Sequence, residues 1–323
     1  MSTRTFHATG QRLVRQLRRT HSSCGPRHYT TDSPVGLPDP AAYCRDLVRK
    51  HDYDSFLVAQ FYPKPKQDAY FAIKAFSVEL ALVPDTVSNT VIGQMRMQFW
   101  RDAVKGIGAG RPPKHPIALA LYQASETANL PPYHFKRIVD ARDAELQAPS
   151  HLTVDTLTSH AESTSSTVLY LLLSLLGLPS STLAHAASHL GVAHTFSTLL
   201  RALPYHAKKG QMVIPAEITA KHSVNQEEVF RRGPNAPGID DAVFEFATVA
   251  NDHLITARDM FKSDGMGGLV PPATLPVFLS AVPTANYLGR LEKANFNAFE
   301  PGLQLRDWKL PWQLWRSYYR RKF

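Results

Sequence analysis

The sequence predicts an all-α fold, and three observations support this prediction. In nearly every long segment the apolar residues recur at intervals of three and four, which is the period of an amphipathic helix. No segment shows the sustained two-residue alternation of a half-buried strand. Proline and glycine clusters divide the chain into lengths that suit globular helices. With 323 residues, of which 44% are hydrophobic and 20% charged, the chain can bury a substantial core. We expect a single-domain helical bundle.

The predicted helices follow one another along the chain, and turn signals separate them. Pro131 and Pro132 separate two helices, and Pro204 is expected to end another. Asn225 lies three residues before Glu228, which is the spacing of a capping box at a helix start. The predicted helices span 40–50, 54–61, 66–83, 88–107, 115–129, 132–147, 153–177, 180–203, 225–232, 239–263, 273–281, 284–294 and 311–322.

The net charge of +9 does not indicate a nucleic-acid-binding face, because the excess lies at the two ends of the chain. Six of the 36 Lys and Arg residues lie in 1–31, which has no Asp or Glu. Six more lie in 306–323, beside Asp307 alone. This leaves 24 basic and 26 acidic residues in 32–305. A nearly neutral middle gives no support to a phosphate-binding face, so we expect no nucleic-acid partner.

Residues 1–31 have the composition of a mitochondrial presequence. The segment is rich in Arg, Ser, Thr and His, lacks acids, and has apolar residues at helical spacing. A secretory signal would need a continuous apolar stretch, which this segment lacks. A disordered basic tail is the alternative, but the exclusion of acids over the whole segment favours import. We expect cleavage near Tyr29, because Arg27 then lies two residues before the cut.

Cysteine usage and hydropathy exclude several other classes of protein. Cys24 and Cys44 are the only cysteines, and the first would leave with the presequence, so a disulfide framework or a cysteine-rich zinc site is not expected. The longest apolar run, 168–178, contains Ser174 and Gly177 and is shorter than the roughly 20 residues that cross a bilayer. Any membrane attachment is therefore expected to be peripheral.

Two segments resemble the squalene/phytoene synthase family. Residues 69–104 read AYFAIKAFSVELALVPDTVSNTVIGQMRMQFWRDAV and resemble the first half of that family. Residues 191–215 read GVAHTFSTLLRALPYHAKKGQMVIP and resemble its second aspartate-rich helix with the following loop. The resemblance implies an isoprenoid-synthase-like bundle over 32–305, followed by a basic, aromatic C-terminal helix in 306–323. Function has to be judged separately, because one fold hosts many functions.

The resemblance also implies where the metal ligands of a synthase would lie. In the synthases, aspartates four residues apart on two facing helices hold Mg²⁺, which neutralises the diphosphate leaving group. The first pair falls on Glu79 and Val83, and the second falls on Ala202 and His206. Valine, alanine and a neutral imidazole do not replace hard oxygen ligands, so three of four carboxylates are missing. We expect no metal, no cofactor and no catalytic residue.

Asp85 is a candidate for a shifted metal ligand, because it lies two residues past Val83. It follows Pro84, however, and a proline disfavours helical continuation, so we expect Asp85 to lie beyond the end of its helix.

Two further acidic pairs have structural interpretations. Asp241 and Glu245 stand four residues apart at the start of a predicted helix, where the helix dipole favours acids. Asp140 and Asp143 share a helix with arginines and are expected to form a solvated, ion-paired face.

Three histidines lie close together in the sequence. His185 and His189 are one helical turn apart, a spacing that can bind zinc, and His194 follows. A third ligand would have to come from a distant loop. Because the chain has 14 histidines, such pairs are expected by chance, and ordinary packing is the favoured interpretation. The role of this group stays open at the level of sequence.

The end of the same helix contains a candidate anion-binding site, at the place where the synthases hold diphosphate. Guanidinium, ammonium and hydroxyl groups there would donate hydrogen bonds to an anion. A helix C-terminus stabilised by nearby cations is an equally good interpretation. The candidate residues are Arg201, Tyr205, Lys208 and Lys209.

A second resemblance, closer than the first, is to the mitochondrial complex I assembly factors of this superfamily. It rests on the phrases VELALVPDTVS, IGQMRMQFWRDAV, LLRALPYH and HAASHLG. The resemblance implies a non-enzymatic protein on the matrix side of the inner membrane, peripherally attached and needed for early complex I assembly. It implies assembly intermediates with the membrane-arm subunit ND1 as the partner. It implies no mechanism.

Three functional hypotheses remain open. The first is a chaperone-like scaffold that holds a complex I subunit during its insertion. The second is an active prenyl transferase, which would need metal ligands that the sequence does not show. The third is a non-catalytic carrier of an isoprenoid lipid, in which an apolar cavity persists between the helices. A carrier should retain a lipid through purification, whereas a scaffold with a filled cavity should not.

Three of the four tryptophans lie in the C-terminal segment, which also predicts a helix. If that helix starts near Pro311, then Trp312, Trp315 and Tyr319 form one stripe along it. Such side chains favour the headgroup layer of a membrane, and cations beside them attract anionic lipid. A peripheral anchor and a terminal helix packed on the core are both open interpretations. The cationic flank consists of Arg316, Arg320, Arg321 and Lys322.

Overall fold

Helices make up all the regular structure in the computed structural model, which describes residues 38–178, 180–263 and 267–323. The all-α prediction is confirmed. The α-helices are α1 (Pro40–His51), α2 (Tyr53–Val58), α3 (Lys64–Thr86), α4 (Thr90–Gly108), α5 (Pro116–Thr127), α6 (Pro132–Gln147), α7 (Val154–Ala161), α8 (Thr167–Leu175), α9 (Ser181–Lys208), α10 (Ala216–Lys221), α11 (Gln226–Arg232), α12 (Ile239–Ser263), α13 (Leu275–Phe278), α14 (Ala281–Lys293), α15 (Pro301–Gln304) and α16 (Leu310–Arg320).

Helix starts follow the capping signals of the sequence. The side chains of Asp39, Asn89, Thr153, Ser180 and Asn225 accept hydrogen bonds from backbone N–H groups in the first turns of α1, α4, α7, α9 and α11. Those N–H groups have no partner within the helix, so each cap satisfies a donor that would otherwise be free. The predicted cap at Asn225 is confirmed, but Glu228 pairs with Arg232 at 3.8 Å and does not complete the capping box.

Two helices continue through prolines at which the sequence predicted an end. Helix α3 runs past Pro84 to Thr86, and α9 runs past Pro204 to Lys208. A proline removes one backbone hydrogen bond, but packing compensates for it. Leu203 and Ala207, on either side of Pro204, are buried, and the Thr86 hydroxyl donates to two carbonyls in the last turn of α3. The predicted ends at 83 and 203 are therefore wrong.

The predicted helix 153–177 is divided by a π-helical turn at Glu162–Ser166. This turn packs against α9, where the Ser166 hydroxyl donates to the carbonyl of Ser188 at 2.8 Å. Gly191 permits the contact, because a Cβ at that position would lie 2.4 Å from the backbone nitrogen of Ser166. The close approach of the two segments thus depends on the missing side chain.

Helices α10 and α15 were not predicted. They contain six and four residues, which is too short for an apolar period to repeat.

Helices α9 and α12 form the centre of the bundle and pack side by side in antiparallel order. His189 faces His253, and Phe196 faces Phe246 with ring centroids 4.8 Å apart. Around this pair the remaining helices build one hydrophobic core, and the described residues form one compact unit. Among the described helices none is long and apolar enough to span a bilayer.

Candidate functional site

The ends of α3 and α9 meet at an acidic residue, which contacts Tyr205 of α9 and the residue that follows this helix, Lys209. The Lys209 ammonium lies 2.6 Å from Oδ1 of Asp85, and the Tyr205 hydroxyl donates to the same oxygen at 3.2 Å. The ammonium also lies over the Tyr205 ring, 4.3 Å from its centroid. We refer to Asp85, Tyr205, His206 and Lys209 as the Asp85 cluster.

The electrostatics of the Asp85 cluster favour an ionised carboxylate. Partial burial raises the pKa of Asp85, but hydrogen bonding to Lys209 and Tyr205 outweighs burial and holds this pKa below its usual value. The charge of His206 acts in the same direction. The expectation that Asp85 lies beyond the end of α3 is wrong, because the helix includes it and directs it toward α9.

The positions assigned to the synthase aspartates do not bring carboxylates together. Val83 is fully buried in the core, and Ala202 carries only a methyl group. His206 uses its Nδ1 atom in a 3.2 Å contact with Oε1 of Gln211. The negative charge of Glu79 acts on two other residues. Together with burial it raises the pKa of Tyr43 in α1, and it opposes the burial that lowers the pKa of His115 before α5. Of the acidic side chains in this part of α3, Asp85 is the one that contacts α9.

The candidate anion-binding residues lie along the last two turns of α9, and two of their cations have carboxylate partners. Arg201 forms an ion pair with Asp54 of α2 at 3.2 Å, and Lys209 forms the ion pair with Asp85. Lys208 is exposed. These two ion pairs reduce the positive charge that an incoming anion would meet.

A second polar group lies deeper in the bundle, and the sequence did not predict it. The Lys74 ammonium lies 3.0 Å from the carboxylate of Asp52, and this carboxylate also caps α2 through the N–H of Ser55. Burial raises the pKa of Asp52. The charge of Lys74 and the hydrogen bond from Ser55 outweigh burial and lower this pKa to about 2. Burial lowers the pKa of the neighbouring His194 to about 4. One sign of this group was available in the sequence, because Asp52 lies at the N-cap position of α2.

Comparison with known proteins identifies the family. The family model described as "Squalene/phytoene synthase" matches residues 48–316. The chain belongs to this family. The fold agrees with that of solved members: a dehydrosqualene synthase in complex with ligand superimposes with a TM-score of 0.75 at 16% identity, over 87% of this chain and 95% of that one. A squalene synthase from Alicyclobacillus acidocaldarius gives 0.70 at 18% identity, over 83% and 98%.

The curated relatives are more similar in sequence than the solved synthases. A protein from Rattus norvegicus named "NADH dehydrogenase (ubiquinone) complex I, assembly factor 6" is 37% identical over 297 residues, which cover 92% of this chain and 87% of the relative. The protein of the same name from Homo sapiens is 36% identical over 87% of this chain and 82% of the relative. A homologue from Drosophila melanogaster is 33% identical over 86% and 83%.

The Mg²⁺ ions that the squalene/phytoene synthase family implies do not fit these residues. Mg²⁺ needs several oxygen ligands in near-octahedral geometry. In the Asp85 cluster one carboxylate is present, and an ammonium group already contacts it. Within the described ranges no group of three or more His, Cys, Asp and Glu side chains has the arrangement of a metal site.

Histidines from two helices form a chain next to the π-helical turn. Nε2 of His185 lies 3.2 Å from Nε2 of His189, whose Nδ1 lies 2.8 Å from Nδ1 of His253. The third member thus comes from α12 and not from a loop. His194 lies apart, 3.4 Å from the hydroxyl of Thr284. Because His189 directs different nitrogens to its two neighbours, the three rings do not converge on one point.

Three members of the two acidic pairs form ion pairs, and the fourth, Asp241, lies in the first turn of α12 as expected. Asp140 and Asp143 both bind Arg101 of α4, at 2.8 and 2.6 Å, so their main partner lies on another helix. Glu245 does not act at the helix start as expected. It pairs with Lys221 at 2.8 Å and with His222 at 2.7 Å, which ties α12 to the end of α10.

The C-terminal residues divide between two environments. Trp312, Trp315 and Tyr319 are exposed on α16, as are Arg316 and Arg320. Arg321 departs from the predicted cationic flank, because it packs on the protein itself. Its backbone is left-handed, its carbonyl accepts from the N–H of Val270, and its Nε donates to the Val270 carbonyl at 3.0 Å.

Proposed function

We propose that this protein assists the assembly of respiratory complex I in mitochondria and does so without catalysing prenyl transfer. The names and coverage of the curated relatives support the first part, since similarity extends over nearly the whole chain. We further propose that residues 1–31 direct import, that 32–305 form the working domain, and that the protein acts on the matrix side of the inner membrane in early assembly of the ND1-containing arm. The presequence lies outside the described residues.

The ion pair between Lys209 and Asp85 is the main support for the proposal that the protein is not an enzyme. An allylic diphosphate ionises when divalent cations neutralise its leaving group, and those cations need open carboxylates. Here an ammonium lies 2.6 Å from the carboxylate, and the positions one turn apart on α9 carry Ala202 and His206. The hypothesis of an active prenyl transferase would require ligands that this arrangement does not supply.

The isoprenoid-carrier hypothesis receives little support from the cavities of the described residues. One cavity of about 330 Å³ lies at the surface beside Lys136, Arg137 and Asp140. Another of about 490 Å³ also lies at the surface and is lined by both charged and apolar residues, among them Arg290, Lys293, Glu300 and Leu303. A prenyl chain would need an apolar lining, so we favour the scaffold over the carrier.

A complementation experiment tests the proposal. Cells that lack the protein should have less assembled complex I on blue-native gels, with complexes III and IV unchanged, and expression of the full chain should restore it. A uniform fall of all complexes would argue for a lipid or quinone role instead. In parallel, the purified chain with Mg²⁺ and geranylgeranyl or farnesyl diphosphate should form no product above a no-enzyme control. Turnover in that assay would refute the non-enzymatic proposal.

A further inference from the structure

Helix α16 is attached to the bundle by one face. Leu310 and Leu314 are buried, the Tyr318 ring packs 5.1 Å from Phe61, and Asn286 donates to Gln313. These contacts hold the helix against α14 and against the turn that follows α2, without using its tryptophans. The alternative of a terminal helix packed on the core is thus correct for this face.

The opposite face of α16 is aromatic and open. The side chains at positions i, i+3 and i+7 are Trp312, Trp315 and Tyr319, which are 62%, 44% and 68% exposed. The two indoles stack with centroids 4.7 Å apart, and the Tyr319 ring lies 4.7 Å from Trp315. Just before the helix, Leu305 and Trp308 are 70% and 83% exposed. We call these five residues the aromatic surface. An apolar surface of this kind marks an interaction site.

Positive charge predominates around the aromatic surface, where four cations stand against one acid, Asp307, whose carboxylate accepts from the N–H of Lys309. Exposed cations stand before the helix and along its flank, and within the described part of the chain none of them has a carboxylate partner. The guanidinium of Arg306 lies over the ring of Tyr53, 4.5 Å from its centroid, which leaves its charge uncompensated. The cations are Arg306, Lys309, Arg316 and Arg320.

The geometry points to a membrane surface that contains anionic lipid as the occupant of the aromatic surface. Tryptophan and tyrosine partition into the headgroup layer, where their rings are apolar and their N–H and O–H groups stay hydrated. Unpaired arginine and lysine beside them meet lipid phosphates. A helix that lies on the core by one face presents the other in the plane of a bilayer, as interfacial helices do. The inference deepens the proposed function and rests on it for the choice of an anionic mitochondrial membrane.

Helix α4 has a second exposed apolar stripe, but the charge beside it differs from that beside the aromatic surface. On α4, Val91, Met95 and Phe99 are also exposed, but the same face carries the carboxylate of Asp102, which accepts from Gln98 and pairs with Lys105. Asp102 and Lys105 balance each other, so this face lacks the excess of positive charge found beside the aromatic surface. We therefore assign lipid contact to α16 and not to α4.

Tryptophan fluorescence provides a direct test with the full chain. The fourth tryptophan, Trp100, is buried, so changes report on the aromatic surface. Vesicles of phosphatidylcholine with cardiolipin should shift the emission to the blue, and brominated acyl chains should quench it, whereas phosphatidylcholine alone should act weakly. Absence of a shift with cardiolipin vesicles would overturn the inference.

Two charge variants separate a local effect from net charge. Arg316→Gln with Arg320→Gln should weaken partitioning about 25-fold, because each cation near an anionic surface contributes about fivefold. The matched control is Arg231→Gln with Arg232→Gln on α11, which removes the same charge from a helix end where glutamates pair with it. Equal losses in both variants would contradict a specific surface.

Trp312→Gln with Trp315→Gln should also abolish the quenching of Trp308, with an unchanged melting temperature because both side chains are exposed.

Complementation distinguishes this inference from the proposed function. If the α16 variants fail to bind vesicles and also fail to restore complex I, both proposals stand. If the wild-type chain binds lipid but does not restore complex I, only the proposed function fails. If the wild-type chain restores complex I but binds no vesicles, the aromatic surface has a protein partner and the lipid inference is wrong.

Discussion

The Lys209 ammonium lies 2.6 Å from Oδ1 of Asp85 and so joins the ends of α3 and α9 by an ion pair. The ammonium thus places a positive charge directly on the carboxylate that links these two helices. The pair is partly exposed, and its contribution to stability is correspondingly small. Its importance lies in the protonation and availability of the carboxylate.

Removal of this ammonium should raise the pKa of Asp85. In Lys209→Met, burial of the carboxylate is opposed only by Tyr205 and the charge of His206, so the pKa moves up from its depressed value. A carboxyl-detected NMR titration measures the change. Lys208→Met removes the same charge one residue earlier and should leave the pKa of Asp85 nearly unchanged. An equal change in both variants would show that the effect is not due to the contact.

The close packing of α9 against the π-helical turn should make Gly191 intolerant of a side chain. Gly191→Ala would place a Cβ 2.4 Å from the Ser166 backbone nitrogen, so the two segments have to separate. We expect a loss of about 2–3 kcal/mol in the free energy of unfolding, in the range of overpacked cores. Urea denaturation measures it.

Gly289 provides the matched control for this substitution. It lies within α14, and a Cβ there would meet no atom within 4 Å. Gly289→Ala should therefore stabilise the protein by about 0.5–1 kcal/mol through the lower backbone entropy of the unfolded chain. A loss at Gly289 comparable to that at Gly191 would contradict the packing explanation.

Burial of His194 should make stability depend on pH. Its pKa is about 4 in the folded protein, against 6.5 in the unfolded chain, so the unfolded state binds more protons between these values. The contribution of neutral His194 is fully present above pH 6.5 and is lost as the pH falls toward 4. Between pH 7.5 and 5 the loss should be about 2 kcal/mol. Urea unfolding of His194→Gln should show a correspondingly smaller loss on acidification, and an unchanged loss in this variant would assign the pH dependence to other groups.

The sequence predicted the helices best where local signals and packing agree. Helix α6 spans 132–147 as predicted, because Pro132 begins it and its apolar period continues to the end. The ends of α3 and α9 were misplaced, since burial around Pro84 and Pro204 outweighed the local effect of proline. Contacts between distant segments were also beyond the sequence. His253 stands 64 residues after His189, and no spacing rule connects two helices before their packing is known.

The last prediction concerns whether Lys209 excludes Mg²⁺ from the Asp85 cluster. Ala202→Asp with His206→Asp introduces the two α9 carboxylates that the synthase register implies, on the helix whose Tyr205 already contacts Asp85. With Lys209 in place, its ammonium still pairs with Asp85 and repels the metal ion. Adding Lys209→Met frees that carboxylate, so the triple variant should bind Mg²⁺ about tenfold or more tightly than the double variant, measured by calorimetry. Adding Asp85→Asn to the triple variant should abolish the gain. Equal Mg²⁺ affinity in the double and triple variants would show that Lys209 does not exclude the metal, and no binding in either would show that Ala202 and His206 do not correspond to the aspartate positions of the synthases.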